Sequence, residues 1–248
     1  MWKIILAFIF CSSSWAYNLT KDFTDGFYWA SLPINITVVE SDVNRKSTME
    51  NLAKQAINEW QTKTGLSLWK FISSTSSQAT PNVIRWSTNF AAETKMDPSS
   101  VLAVAIRYTN GPYFSQTEIV INGNHFLNMN TSNLLTTITH ELGHTMGLDH
   151  SNNPYAVMAP TLQDPYTGLN NDDLQGMASA VSETEHREQT NYISPLAYQK
   201  ENKTTQALSC GTVGIVGSGG ASQSILSLTV GLLIGLVGRI LKWFKSRI

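Results

Sequence analysis

The sequence predicts an α+β domain in which a twisted mixed β-sheet packs against a small number of helices. Short β-branched runs separated by turn residues fill the first half of the chain and indicate strands. Segments near residues 47, 132 and 171 have apolar residues at helical spacing. A length of 248 residues accommodates one domain of ordinary size with extra segments at its ends.

The first half of the chain is predicted to contain most of the strands. The run LPINITVV at 32–39 is apolar and β-branched, which is typical of a strand. Ser47 and Glu50 have the spacing of a capping box and predict the start of a helix, for which Gly65 is the stop signal. Further strands are predicted at 66–72, 82–88, 101–108 and 117–121, the last two joined by a turn at 110–112.

The second half is predicted to be helical. One helix covers 132–145 and carries His140 and His144. A second helix is capped by 171–173 and runs to about residue 181. The predicted order of elements is therefore β-α-β-β-β-β-α-α, in a domain that covers residues 17–190.

Net charge and cysteine content argue against a nucleic-acid-binding protein and against a core that cysteines hold together. The formal net charge is -1, which argues against nucleic acid as a partner. The two cysteines, Cys11 and Cys210, lie near the two ends of the chain. We therefore expect neither a disulfide nor a cysteine metal cluster in the core.

The first sixteen residues are predicted to be a secretory signal peptide. Lys3 provides a short positive region, an apolar run too short to span a bilayer follows, and the small residues Ser14 and Ala16 stand at the -3 and -1 positions of a cleavage site. Cleavage after Ala16 would remove Cys11, whose alternative role as a lipidation site is disfavoured by the bulky Phe10 before it. The domain is thus expected to be exported.

The C-terminal part is predicted to hold the domain at a membrane. Residues 191–220 include a Gly- and Ser-rich linker, and 221–248 form an apolar segment with a basic tail, long enough for a transmembrane helix. The tail predicts that the C-terminus stays in the cytoplasm. Alternatively, Gly219 and Gly220 followed by the apolar segment form a sorting signal that a membrane-embedded protease cuts.

The stretch HELGHTMGLDH has the spacing of a metal site. His140 and His144 are four residues apart, so a helix places both imidazoles on one face. Gly147 is expected to end the helix and to turn the chain, which lets His150 return as a third ligand. Three neutral imidazoles with an open fourth position suit one Zn²⁺ ion that carries a water molecule.

Glu141 indicates that this site is catalytic. It neighbours the first histidine and is turned toward the same ion, where a carboxylate can act as general base on zinc-bound water. The sequence therefore predicts a zinc-dependent endopeptidase that acts on protein or peptide substrates. The alternative is a zinc-containing surface protein that binds peptides without cleaving them; such a protein need not keep Glu141.

The chain resembles a known family at these residues. HELGHTMGLDH is similar to the HExxHxxGxxH signature of the metzincin zinc proteases. The following HSNNPYAVMAP resembles the methionine-containing turn of the matrixins, the matrix-metalloprotease group, and LNNDDLQGMASAV resembles their C-terminal helix. The strand pair at 101–121 resembles the matrixin sheet that includes the substrate-binding edge strand. The resemblance ends near residue 190 and implies a metzincin-like catalytic domain.

The resemblance assigns roles to single residues. They are the zinc ligands His140, His144 and His150, the general base Glu141, the structural Met158 beneath the metal, and the substrate-pocket residues Pro160 and Leu162. Leu162 stands where many matrixins have tyrosine, so the family does not define the pocket shape here. A substrate is expected to bind as an extended strand along 101–108.

Other departures from the family limit what is expected. His125 lies where the family has a ligand of a structural zinc, but no partner histidines or calcium loops are recognisable between 90 and 130. We therefore expect one catalytic zinc and neither a structural zinc nor calcium. Residues 17–46 are too few for the family's inhibitory prodomain and contain no cysteine, so no N-terminal latch is expected.

Overall fold

The computed structural model describes residues 17–73, 80–126, 128–162, 166–199 and 207–210. The predicted signal peptide and the predicted membrane or sorting segment, including Gly219 and Gly220, lie outside these residues. Within the described part of the chain, no helix has both the length and the apolar character needed to cross a membrane.

The domain alternates short strands with helices of very different length. The strands are β1 (Asn18–Leu19), β2 (Tyr28–Trp29), β3 (Ile34–Val39), β4 (Trp69–Phe71), β5 (Val83–Ser87), β6 (Ala103–Asn110), β7 (Tyr113–Asn122), β8 (Leu148–Asp149) and β9 (Ala207–Cys210). The helices are α1 (Lys21–Thr24), α2 (Val43–Thr64), α3 (Phe90–Thr94), α4 (Gly123–Phe126), α5 (Thr131–Thr145), α6 (Asn171–Gln189) and α7 (Pro195–Gln199). The prediction of a mixed sheet with a histidine-bearing helix is confirmed.

The main sheet has the strand order β4-β3-β5-β7-β6-β9, with β2 also paired to β7. The pairs among β2, β3, β4, β5 and β7 are parallel, whereas β6 is antiparallel to both of its neighbours. The prediction that β6 is an edge strand is therefore wrong for the described chain, because β9 covers its outer side. A second, two-stranded sheet joins β1 to β8.

Strand β6 places the sheet against the histidine helix. Ala103 and Ala105 belong to the main core, which also contains Leu142 of α5, whereas Val104 and Ile106 belong to a smaller core on the opposite face. This alternation follows the two-residue period of a strand. The small alanine side chains leave room for α5 to pack closely on β6.

Two helix starts differ from the prediction. Helix α2 begins at Val43 because Asp42 accepts a hydrogen bond from the Arg45 amide and caps the helix. Its first turn is polar, so apolar spacing could not reveal it. Helix α6 is capped by Asn170, one residue before the predicted cap, in a capping box with Asp173.

Several short elements were not predicted from the sequence. They are β1, α1, β2, α3, α4, β8, α7 and β9, and all of them have five residues or fewer. Two of them, α7 and β9, lie in the range 191–220 that was interpreted as a linker. Segments this short carry too few residues for apolar periodicity to be recognisable.

Candidate metal centre and active site

Helix α5 carries two of the predicted ligands and is fixed at both ends. Asn130 caps its start by accepting a hydrogen bond from the Asn133 amide at 2.8 Å. Three tryptophan indoles donate hydrogen bonds to this helix at 2.8–3.0 Å. Trp60 donates to the Thr139 carbonyl, Trp29 to the Thr145 carbonyl and Trp69 to the Thr145 hydroxyl. The ligand-bearing face is thus held rigidly by residues distant in sequence.

The three predicted ligands come together in the fold. The Nε2 atoms of His140 and His144 are 2.9 Å apart. The centre of the His150 ring lies 5.3 Å from the centre of the His140 ring and 5.1 Å from that of the His144 ring. One nitrogen from each residue falls within 4.8 Å of the others. His140 and His144 are buried and His150 is half-buried, so His150 is the most accessible of the three.

Hydrogen bonds orient both helical imidazoles toward a common point. Nδ1 of His140 donates to the Val157 carbonyl and Nδ1 of His144 donates to the Leu148 carbonyl, each at 2.7 Å. A carbonyl can only accept, so both Nδ1 atoms carry the proton and both Nε2 atoms offer lone pairs. Two lone pairs at 2.9 Å repel each other unless a cation lies close to both. The donor set therefore fits Zn²⁺.

Burial keeps these imidazoles neutral. It lowers the pKa of His140 to about 3, with a further contribution from His150. It also lowers the pKa of His144 well below its ordinary value, and the neighbouring His140 and His150 add to this effect. Neutral imidazoles are the form that binds metal, so the two helical residues need no deprotonation before they bind an ion.

The third histidine is positioned by a glycine turn, as predicted. Gly147 has a φ of +100°, a conformation that side-chain-bearing residues rarely adopt, and its carbonyl accepts a hydrogen bond from the Thr20 amide at 2.9 Å. Asn18 donates to the carbonyl of His150 at 2.7 Å. The N-terminal segment thus holds the chain on both sides of β8 and fixes where His150 lies.

Met158 packs beneath the histidine helix at Gly143. A Cβ atom added to Gly143 would run into the Met158 sulfur and would lie 3.3 Å from Cζ2 of Trp60. Gly143 therefore makes room for the methionine.

Glu141 is a buried carboxylate without a side-chain partner in the described chain. Its side chain is fully buried, and no side chain of the described residues donates a hydrogen bond to either carboxylate oxygen. Burial raises its pKa well above the ordinary value, while the Ala105 amide and the charge of Arg107 oppose the rise. An unpaired buried carboxylate is costly, and beside three converging imidazoles it fits a site that holds a metal ion and its water.

Arg107 connects β6 to the histidine helix and was not anticipated. It is fully buried, donates to the carbonyl of His144, and forms an ion pair with Asp22 of α1 at 2.7 Å. A signal was present in the sequence, since Arg107 continues the inward-facing series of Ala103 and Ala105 in an otherwise apolar strand. A charge at such a position requires a buried partner.

The paired aspartates of α6 hold the loop after the third histidine. Asp173 accepts hydrogen bonds from the amides of Val157 and Met158 at 3.0 Å and 2.9 Å. Asp172 accepts one from the hydroxyl of Ser151 at 2.5 Å. Since the Val157 carbonyl orients the imidazole of His140, Asp173 acts on the histidine cluster through the loop backbone.

The predicted pocket residues and His125 are not part of the three-histidine cluster. Pro160 is exposed and Leu162 is half-buried, and the chain directly after Leu162 lies outside the described residues. His125 lies on α4, where Nε2 forms a hydrogen bond of 2.8 Å with the Pro98 carbonyl. In the described chain, the metal-competent cluster consists of His140, His144 and His150 alone.

The mixed sheet, the histidine helix and the three-histidine centre define the catalytic domain of a metallopeptidase. The sequence model of the matrixins, a peptidase family, matches residues 28–180. The chain therefore belongs to the matrixin family, which confirms the resemblance drawn from the motifs.

Known relatives cover a smaller part of the chain. Matrix metalloproteinase-16 of human and of rat is 49% identical over 53 residues, which are 20% of this chain and 9% of that protein. Macrophage metalloelastase of rabbit is 47% identical over 53 residues, 19% of this chain and 11% of that protein. Human matrix metalloproteinase-15 is 48% identical over 50 residues, 18% of this chain and 7% of that protein. The matches thus span a tenth or so of the relatives' length.

Proposed function

We propose that the chain is an endopeptidase that hydrolyses peptide bonds with one zinc ion held by His140, His144 and His150. The observation that carries this proposal is the unpaired, fully buried carboxylate of Glu141 beside three converging imidazoles. Membership of the matrixin family supports a metallopeptidase. The residues present match both halves of the chemistry, a metal-binding donor set and a base.

The chain's own residues account for the proton transfers. When bound, zinc supplies a water of lowered pKa and polarises the carbonyl of the bond to be cut. Glu141 takes a proton from that water while the water oxygen attacks the carbonyl carbon, and it then passes the proton to the departing amine. Burial disfavours the charged form of the Glu141 carboxylate, which favours its taking a proton. Glu141 thus acts first as base and then as acid.

The fold supports extended peptides as substrates. Strand β6 lies beside the catalytic carboxylate, and a peptide can add to a strand edge through main-chain hydrogen bonds. Main-chain recognition favours protein and peptide substrates without a strict sequence requirement. Pro160 and Leu162 would border the pocket for the side chain after the cleaved bond.

The variant Glu141→Gln tests the role of the carboxylate. It keeps the size of the side chain and removes the base, so we expect one zinc per chain and a loss of casein hydrolysis of about 10²- to 10⁴-fold. Glu185→Gln, an exposed position on α6, is the matched control and should retain wild-type activity. Unchanged hydrolysis by Glu141→Gln would contradict the mechanism. A zinc-loaded wild-type chain that binds peptides and cuts none would support the non-cleaving alternative instead.

We further propose that the domain is exported and held at the membrane. The signal-like residues before Tyr17 and the uncharged run 211–238 followed by a basic tail support this. Intact-mass measurement of the mature protein tests both ends. We expect a chain that starts at Tyr17 and ends either at Ile248 or near Gly220. A protein that starts at Met1 and is recovered from the cytoplasm would contradict export.

A further inference from the structure

The outer side of β6 is occupied by a segment of the same chain. Strand β9 pairs antiparallel with β6, and the partners are Ala105 with Cys210, Ile106 with Ser209, Arg107 with Leu208 and Tyr108 with Ala207. About 100 residues separate the two strands in sequence, so this pairing is a tertiary contact and not a local hairpin. The main-chain groups on that side of β6 are engaged along four residues.

Strand β6 is the part of the sheet nearest the catalytic residues. The amide of Ala105 lies beside the carboxylate of Glu141. Arg107, two residues further, donates to the carbonyl of His144. A strand added to the outer side of β6 therefore runs alongside the metal centre, and Cys210 is the described residue of β9 that lies opposite Ala105.

A substrate strand and β9 would need the same hydrogen-bonding groups. Each N–H and C=O on one side of a strand serves one neighbouring strand at a time. A peptide that binds by strand addition beside Glu141 must use the side of β6 that β9 now covers, because the other side is paired with β7. The two occupants exclude each other.

We propose that β9 is a tethered competitor that blocks the substrate-binding side of β6 and must leave before a peptide binds. This inference rests on the proposed peptidase function and assigns that site an internal control. Because the segment belongs to the same chain, its effective concentration at β6 is high. Only molecules in which β9 is detached can bind substrate, so the apparent affinity is the intrinsic affinity multiplied by the fraction of such molecules. Release of β9 would raise activity without a change at the metal.

Proline substitution tests this in the full, zinc-loaded chain in detergent micelles. The double variant Leu208→Pro with Ser209→Pro removes two consecutive N–H groups. Consecutive N–H groups point to opposite sides of a strand, so one of the two faces β6. The matched control, Leu208→Ala with Ser209→Ala, shortens the same side chains and keeps both N–H groups. The probe is a quenched fluorescent octapeptide rich in alanine and leucine.

Three readouts are needed. For the proline variant we expect a KM on the order of tenfold lower with kcat unchanged. We also expect faster deuterium uptake at about two amides of β6, and on the order of tenfold tighter binding of the octapeptide by fluorescence anisotropy in a Glu141→Gln background. The alanine variant should match the wild type in all three.

The outcomes separate this inference from the function on which it rests. Unchanged deuterium uptake in the proline variant would show that β9 does not protect β6, and faster uptake with unchanged KM and unchanged peptide binding would show that it does not compete. Either result overturns the inference and leaves the peptidase intact. If no variant cleaves the octapeptide, the proposed function fails, and the anisotropy measurement alone decides whether β9 competes with a peptide.

Discussion

The guanidinium of Arg107 forms a two-pronged, buried salt bridge with the carboxylate of Asp22. Nε lies 2.8 Å from Oδ2 and Nη2 lies 2.7 Å from Oδ1, and the Arg107 side chain has no exposed surface. The third nitrogen of the guanidinium donates to the carbonyl of His144. One charge pair therefore connects the N-terminal helix α1, the strand β6 and the metal-binding helix α5.

Asp22→Asn is expected to destabilise the domain strongly. The substitution keeps the shape of the side chain and leaves the buried Arg107 charge without its counter-charge, which costs about 3–5 kcal/mol in the free energy of unfolding. Urea denaturation measures the change. The control is Asp25→Asn, which removes the partner of Lys21, a side chain 85% exposed, and should change stability by less than about 1 kcal/mol. Equal effects of the two variants would contradict the assigned importance of the buried pair.

Asp173→Ala is expected to weaken zinc binding although Asp173 is not a ligand. The variant leaves the amides of Val157 and Met158 unpaired, and the loop whose carbonyl orients His140 loses its anchor. Loss of such outer-shell partners lowers metal affinity about 10- to 100-fold, which competition with a fluorescent zinc chelator measures. Asp172→Ala removes only the Ser151 hydroxyl contact and serves as the control. A zinc affinity equal to that of the wild type for Asp173→Ala would show that the loop does not orient the ligand.

Gly143→Ala is expected to overpack the core under the metal. The added methyl group meets Met158, and insertion into a packed core costs about 1–3 kcal/mol. A double-mutant cycle with Met158→Ala isolates that contact. In the Met158→Ala background the clash is absent, so Gly143→Ala should show only its gain of about 1 kcal/mol in helix propensity. Unfolding free energies from urea denaturation complete the cycle. Strict additivity of the two substitutions would mean that Gly143 and Met158 do not interact.

Zinc binding is expected to release few protons at mildly acidic pH. Because the folded-state pKa of His140 is lowered to about 3 and that of His144 also lies well below 6.5, both are already neutral at pH 5.5, where an ordinary histidine is mostly protonated. Titration calorimetry in two buffers of different ionisation enthalpy counts the protons. We expect about two protons or fewer per zinc, because only His150 and the carboxyl of Glu141, whose pKa is raised by burial, are left to release one each; release of three or more would show that the helical imidazoles are protonated in the folded chain.

The residues that could be predicted from the sequence are those whose geometry is local. Four-residue spacing on a helix is enough to bring His140 and His144 together, and Gly147 accounts for the turn that brings the chain back toward them before His150. The chemistry of Glu141 follows from its place in the same motif. None of these inferences needs knowledge of a distant part of the chain.

The residues that escaped prediction depend on partners far away in sequence. Asp22 and Arg107 are 85 positions apart, and neither has a local signal that names the other. Strand β9 has four residues, and its pairing partner β6 lies about 100 positions earlier in the sequence. Helix α2 starts early because a side-chain cap can begin a helix before its apolar face does.

The central claim is that the three-histidine centre holds one zinc ion that the peptidase activity requires. The most direct test adds zinc stepwise to the metal-free full chain while casein hydrolysis is measured. We predict that activity rises in proportion to added zinc and reaches its maximum at about one ion per chain, and that His150→Ala fails to regain activity at the same zinc level. Full hydrolysis by the metal-free chain, or normal recovery by His150→Ala, would contradict the claim.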